Sequence, residues 1–312
     1  MATSGSVDYT LNRNRIIASA LRKLGALAQG ETPTNEEYDE ASENLNMMIK
    51  HWQTQGLKLW TRTEGVLIQA ASQESYTLGP NSTDHATTVD DLVKTEIATA
   101  GVIGDLTIDV DSITGISTGD VIGIKTSSTD IHWTTVNGAP TGTTITITAP
   151  LDAAVAVDNE VYAYTSVIER PLKIMKARVR NSDDSETPID VVVRDKYFNL
   201  TLKSSTGRVN TVYYDPQIDD GVLYVWPTAD DVTDQIRFTF KRQIEDMDAA
   251  ANNFDFPAEW FLTITYNLAV VLNAEYDNPL TNDFKQDAAA MLRDLMAYNT
   301  EGTLTFIPDF GA

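Results

Sequence analysis

The chain has 312 residues, 42% hydrophobic and 22% charged, a composition that can bury a core and is expected to form about two domains. Its 23 basic and 45 acidic residues give a formal charge of −22, which argues against sequence-reading nucleic-acid binding, since that needs a basic footprint to displace phosphate counterions. There is no cysteine, so disulfides and thiolate metal sites are excluded. No apolar run approaches the roughly 18 residues of a membrane span, and MATSGSVDYTLNRNR lacks the apolar stretch of a secretory signal.

The N-terminal part reads as helical. Asn12–Ala28 places Ile16, Ile17, Ala20, Leu21 and Leu24 on one side, and Gly30 is the expected stop. Thr34–Glu37 matches a capping box, and Gly56 stands where a left-handed terminator is expected. Between them Tyr38, Ala41, Leu45, Met48 and Trp52 recur at steps of three and four, one apolar stripe.

After Trp60 the period changes. GVLIQAASQESYTLGP suggests two short strands. Ala86–Thr165 is rich in Thr, Val, Ile, Gly and Asp and contains LTIDV, DVIGIK, IHWTTV, TTITIT and NEVYAY between turn signals. Such spacing reads as a small sandwich or barrel. LKIMKARVR, IDVVVR, VNTVYY, GVLYVWP and QIRFTFKR continue as strands, with NSDDSETP as an exposed loop. Helices return from Pro257, with Trp260, Phe261, Ile264, Leu268, Val271 and Leu272 as one broad face, and again over Asp283–Tyr298. The expected fold is α+β: a helical domain built from N- and C-terminal helices, a central antiparallel β region, and an inserted small all-β domain. The expected boundaries are 1–65 and 246–300 for the helical core, 66–85 and 166–245 for the central β region, 86–165 for the insertion and 301–312 for an extended tail.

The stretch YYDPQIDDGVLYVWPTADD invites a metal-site reading, which fails on ligand count. Counting back from Gly221, an EF-hand loop would need oxygen ligands where Pro216 and Ile218 stand, and Pro227 occupies the place of its glutamate. Asp220-Gly221 reads instead as a hairpin turn, with Gly supplying φ > 0, and Tyr213, Leu223 and Val225 as one packed face. The acids Asp219, Asp220, Asp230 and Asp231 read as solvated turn charges. His51, His85 and His132 form no paired metal-ligand spacing. There is no nucleophile elbow and no phosphate-cradling Gly motif. No metal, cofactor or catalytic residue is expected.

ERPLKIMKARVRN, VVVRDKYFNL, GRVNTVYYDPQ, GVLYVWPTADD, IRFTFKRQIEDMD and DFPAEWFLTITYNLA follow one another in an order that resembles the head-to-tail adaptor proteins of short-tailed bacteriophages, the tail accessory factors that stabilise packaged DNA. Arg15–Trp60 is similar as well, and Ala86–Thr165 lies outside the resemblance. The resemblance implies a non-enzymatic virion protein of the neck or tail, assembled in the host cytoplasm without a membrane. It implies a homo-oligomeric ring of about twelve copies, docked under the portal protein. DNA would pass through without sequence-specific binding, and a tail nozzle or tail fibre protein would join below. It further implies a C-terminal tail along the portal, here Leu304, Phe306, Ile307, Pro308 and Phe310. Those side chains either dock on a partner or fold back on their own domain. Asp183, Asp184, Asp230 and Asp231 are the candidates for a DNA channel lined with negative charge. The alternative is a tail component with cell-wall glycan hydrolase or glycan-binding activity. That chemistry needs only two acids about 5–10 Å apart, and 45 acids make the signal nearly empty.

Overall fold

The computed structural model describes residues 9–55, 61–128, 130–276 and 279–298. The chain divides into two compact units, Met1–Thr61 with Ile244–Ala312, and Arg62–Gln243. The five α-helices of the described residues are α1 (Arg13–Leu24), α2 (Asn35–Thr54), α3 (Arg194–Phe198), α4 (Phe261–Leu272) and α5 (Asn282–Tyr298).

In the first unit, α1 begins where the Asn12 side chain accepts from the Arg15 amide at 3.0 Å. It ends at Gly25, not Gly30. Gly25 adopts φ +79°, a left-handed conformation that costs glycine little, and Leu21 and Arg22 carbonyls accept from Ala26 and Gly25. The capping box of α2 forms, with the Thr34 amide donating to Glu37 Oε2 at 2.7 Å and the Glu37 amide to Thr34 Oγ1 at 3.2 Å. Gly56 lies outside the described residues. One apolar core joins Ile16, Leu21, Leu45, Ile49, Trp52, Trp260, Ile264 and Leu268, with Phe284 and Leu295 of α5 packed against it. Buried Arg13 ties α1 to α2 through Ser42 Oγ and to the carbonyls of Met247 and Asp248. Val271, expected on the buried face of α4, is exposed.

Among the described residues, the second unit holds fourteen strands. β1 (Arg62–Ile68), β2 (Ser75–Leu78) and β3 (Ala86–Thr88) come first. β4 (Val93–Thr99), β5 (Thr107–Val110), β6 (Val121–Lys125), β7 (Ile131–Thr135), β8 (Thr144–Thr146) and β9 (Glu160–Tyr164) follow. β10 (Lys173–Arg180), β11 (Glu186–Val191), β12 (Thr211–Pro216), β13 (Gly221–Trp226) and β14 (Gln235–Lys241) complete the set.

Eight strands form one sheet in the order β2-β13-β12-β11-β10-β14-β1-β3. Its two edge strands are consecutive in the chain. Eight flat strands would span about 34 Å, more than the roughly 27 Å reach of the 79–85 connection, so the sheet curls. Its inner face carries Leu67, Ile174, Val179, Val212, Leu223, Val225, Ile236, Phe238 and Phe240. The other six strands run β7-β6-β9-β4-β5-β8. A bridge between Val136 and Ile147 joins the two ends, with the Thr148 amide donating to Thr135 O at 2.9 Å. Closure removes the exposed edges, and Ile97, Ile122, Ile145 and Val161 fill the interior. Val66 and Ile68, on the outer face of β1, pack with Ile131, Tyr162 and Val232.

These findings correct the expected α+β class. β structure predominates, with fourteen strands in two curled sheets against five helices among the described residues. Caps and wide stripes make helices conspicuous in sequence, whereas β3 and β4 have no alternation strong enough to announce them, and β11 begins inside the supposed NSDDSETP loop. The eight-stranded sheet is also not purely antiparallel, because β11 and β12 pair in parallel at Asp190↔Thr211 and Val191↔Val212. α3 lies in the crossover that such pairing requires.

Candidate functional site

The acidic stretch 213–231 folds as strand, hairpin and strand. β12 pairs with β13 from Thr211↔Trp226 to Pro216↔Gly221. Register puts Val212, Tyr214, Leu223 and Val225 in the core, while Tyr213 faces Tyr224 on the other side, their rings stacked 5.6 Å apart. Tyr213 therefore does not share a face with Leu223 and Val225, because adjacent strand residues point to opposite faces. Gly221 has no positive φ. A Cβ there would overlap the ring and hydroxyl of Tyr214, so close approach is what calls for glycine. Ile218 is 91% exposed at the hairpin tip, and the Asp220 carboxylate accepts from the Asn81 amide and side chain at 3.1 and 3.2 Å.

Asp183 and Asp184 form the exposed β10–β11 turn, with Asp184 at φ +65°. Ser185 donates to Asp183 from its hydroxyl and amide, which lowers the Asp183 pKa. Asp184 is lowered chiefly by Arg180, whose Nη2 lies 2.7 Å away. Asp230 and Asp231 are exposed before β14, and Asp231 accepts from the Thr233 amide and hydroxyl. Each of Asp183, Asp184 and Asp231 is thus engaged by a local partner. Leu304, Phe306, Ile307, Pro308 and Phe310 lie outside the described residues.

His85 gains a setting that its sequence context does not announce. It stacks on Trp133 with centroids 3.5 Å apart, and its Nδ1 lies 2.9 Å from the Tyr164 hydroxyl. Burial pushes His85 down to about 4, and Tyr164 up to about 12. A cavity of about 280 Å³ adjoins it, lined by Gln69, Gln73, Asp84, Asp130 and Trp133 among others. Its acids are occupied: Asp84 accepts from Gln73 Nε2 and the Thr77 amide, and Asp130 from the Ala71 amide. The group is a half-buried network that ties loops together, with a neutral imidazole inside it. No cluster of three or more His, Asp or Glu able to hold a metal ion occurs among the described residues.

The other conspicuous feature is an aromatic shelf at α3. Tyr197, Phe198, Tyr213 and Tyr224 pack with centroids 5.4–6.1 Å apart. Lys203 Nζ lies 5.4 Å from the Tyr197 ring. Phe198 is 46% exposed, and Val193 and Leu202 are more so. This arrangement offers apolar contact area with a cation beside it, and no reacting group. Sequence signals neither cluster as a whole, because its members come from segments far apart in the chain.

No protein-family model matches the chain, and no curated protein matches it. Among solved structures, one similar chain belongs to the VP16-VP17 complex, a complex of the two major capsid proteins of bacteriophage P23-77. The identity is 14%, over 57% of this chain and 82% of that chain, with a TM-score of 0.13. A likeness that weak carries no argument here.

Proposed function

We propose that the chain is a structural component of a phage virion, a head-to-tail adaptor whose copies close into a ring between portal and tail. One observation carries this reading. The segments that resemble adaptor proteins fold into the helical unit and the eight-stranded sheet, while the tract Ala86–Thr165 outside the resemblance supplies the edge strand β3 and then β4–β9, a separate closed sheet with its own core. A resemblance that stops within a few residues of a self-contained sheet is what a shared scaffold with an added module would leave. In this role the acidic surface lets DNA pass without phosphate contacts, and the protein works by heterologous contacts that close by rotation.

Electron microscopy of the purified protein with and without the portal of the same phage tests the reading. The expected image is a ring of about twelve copies under the portal, lost when residues after Thr300 are removed. Portal particles that never acquire this density would overturn it.

A further inference from the structure

The eight-stranded sheet carries an excess of cations on its outer face. On β10, Lys173, Lys176, Arg178 and Arg180 point away from the core side chains Ile174, Ala177 and Val179. Arg237 on β14 joins them directly opposite Arg178. Like charges directly opposite one another destabilise a sheet. Burial, and then the Arg180 charge, lower the Arg237 pKa. Three acids compensate in part: Glu64 and Glu186 hold Arg178 at 2.7 and 2.6 Å, and Asp184 holds Arg180. Lys173 and Lys176 are exposed and make no ion pair among the described residues. Arg62 and Lys241 have neighbours of their own and are not counted.

The same chain presents the opposite charge on α2. Glu36, Glu37, Asp39, Glu40 and Glu43 occur with no basic residue before Lys50. Glu36, Asp39, Glu40 and Glu43 are exposed. The helix dipole favours acids only in the first turn, so Asp39, Glu40 and Glu43 gain nothing from it. Glu36 with Glu40, and Asp39 with Glu43, are like-charged i,i+4 pairs that weaken the helix. Met47, 61% exposed, continues this face and supplies an apolar contact.

We infer that the cationic face of β10 and β14 binds α2 of a second copy. The inference rests on the ring reading and names the heterologous contact by which such a ring would close. Charge complementarity identifies the occupant, and the dimensions agree. Lys173 to Lys176, shortened by the bulge between Ile174 and Lys176, spans about 7 Å along the strand, and Glu36 to Glu40 spans about 6 Å along the helix.

The test is a charge swap followed by sedimentation velocity at about 0.15 M salt, where long-range repulsion between acidic copies is screened and contacts survive. One variant carries Lys173→Glu and Lys176→Glu. A second carries Glu36→Lys, Glu40→Lys and Glu43→Lys, leaving Glu37 to its capping box. A third carries all five changes. Circular dichroism selects variants that keep the wild-type fold. Each single-face reversal is expected to weaken self-association about tenfold or more, and the combined variant to recover most of it. A monomeric wild type, a single-face reversal that associates normally, or a folded combined variant that stays dissociated would each overturn the inference. So would a Lys173→Glu/Lys176→Glu variant that loses duplex DNA binding while self-association is unchanged. Portal docking judges the adaptor reading separately. Rings that dock normally despite the reversals overturn only this contact, whereas swappable self-association without portal docking overturns only the adaptor.

Discussion

Gly221 separates two physical reasons for a glycine. If it served a left-handed turn, Asn would replace it tolerably and Ala would not. Here it sits in β13, opposite Pro216 on one side and Leu78 on the other. A Cβ would overlap the Tyr214 ring and hydroxyl. That hydroxyl donates to the Pro171 carbonyl at 2.5 Å in a buried site. Relieving the overlap must push the ring into packed neighbours, at about 1–3 kcal/mol, and break that hydrogen bond, at about 1–3 kcal/mol more. Gly221→Ala and Gly221→Asn are therefore both expected to destabilise by roughly 2–6 kcal/mol. Urea unfolding followed by tryptophan fluorescence measures it. Tyr214→Ala should make the Gly221→Ala change markedly cheaper, because the two groups share one space. Gly221→Ala within about 0.5 kcal/mol of wild type, or Asn tolerated where Ala is not, would refute the close-approach argument.

Thr34→Ala removes the capping oxygen of α2 and should cost about 1 kcal/mol, read as a lower urea midpoint with unchanged m-value. His85 holds a folded pKa of about 4 against an ordinary 6.5. The unfolded chain therefore binds the proton first as pH falls, and the stability His85 contributes is complete above about 6.5 and lost as pH approaches 4. Relative to wild type, His85→Phe should flatten the decline in unfolding free energy between about pH 6.5 and 5, a window in which unperturbed carboxylates change little. Phe238→Ala, fully buried on β14, should cost about 3–5 kcal/mol. Ile218→Ser, at the exposed hairpin tip, should stay within about 0.5 kcal/mol. Paired urea curves compare the two.

What was legible in the sequence followed the strength of local signals. Thr34 and Glu37 lie three residues apart and announce the start of α2. Ile145 and Ile147, set among threonines, announce a strand with one buried side. The metal reading of 213–231 fell to simple counting. The errors came where the outcome depends on a neighbour far along the chain. Gly221 answers to Tyr214, and Tyr213 to its register against Tyr224. The parallel pairing of β11 with β12 cannot be read from either strand alone. His85, in the loop before β3, meets Trp133 of β7 and Tyr164 of β9 only because the fold brings them together. The helical weighting of the fold was a similar error, since a capped 20-residue helix is easier to read than three-residue strands.

The topology explains how such a chain could keep one scaffold while gaining parts. At the entry and exit of the second unit, Arg62 and Lys241 stand directly opposite each other in antiparallel strands. At the entry and exit of the closed sheet, Val93 stands opposite Ala163. Directly opposed antiparallel residues lie about 5 Å apart, so each excursion leaves and returns at nearly one point. A tract added there changes neither the register of the strands on either side nor the closure entropy of the surrounding loop by much. Val66 and Ile68 record one constraint the closed sheet imposes, because they are buried against Ile131 and Tyr162. A scaffold without β4–β9 would have to present polar residues at those two positions. That substitution is the sequence mark by which relatives lacking the module should be recognised.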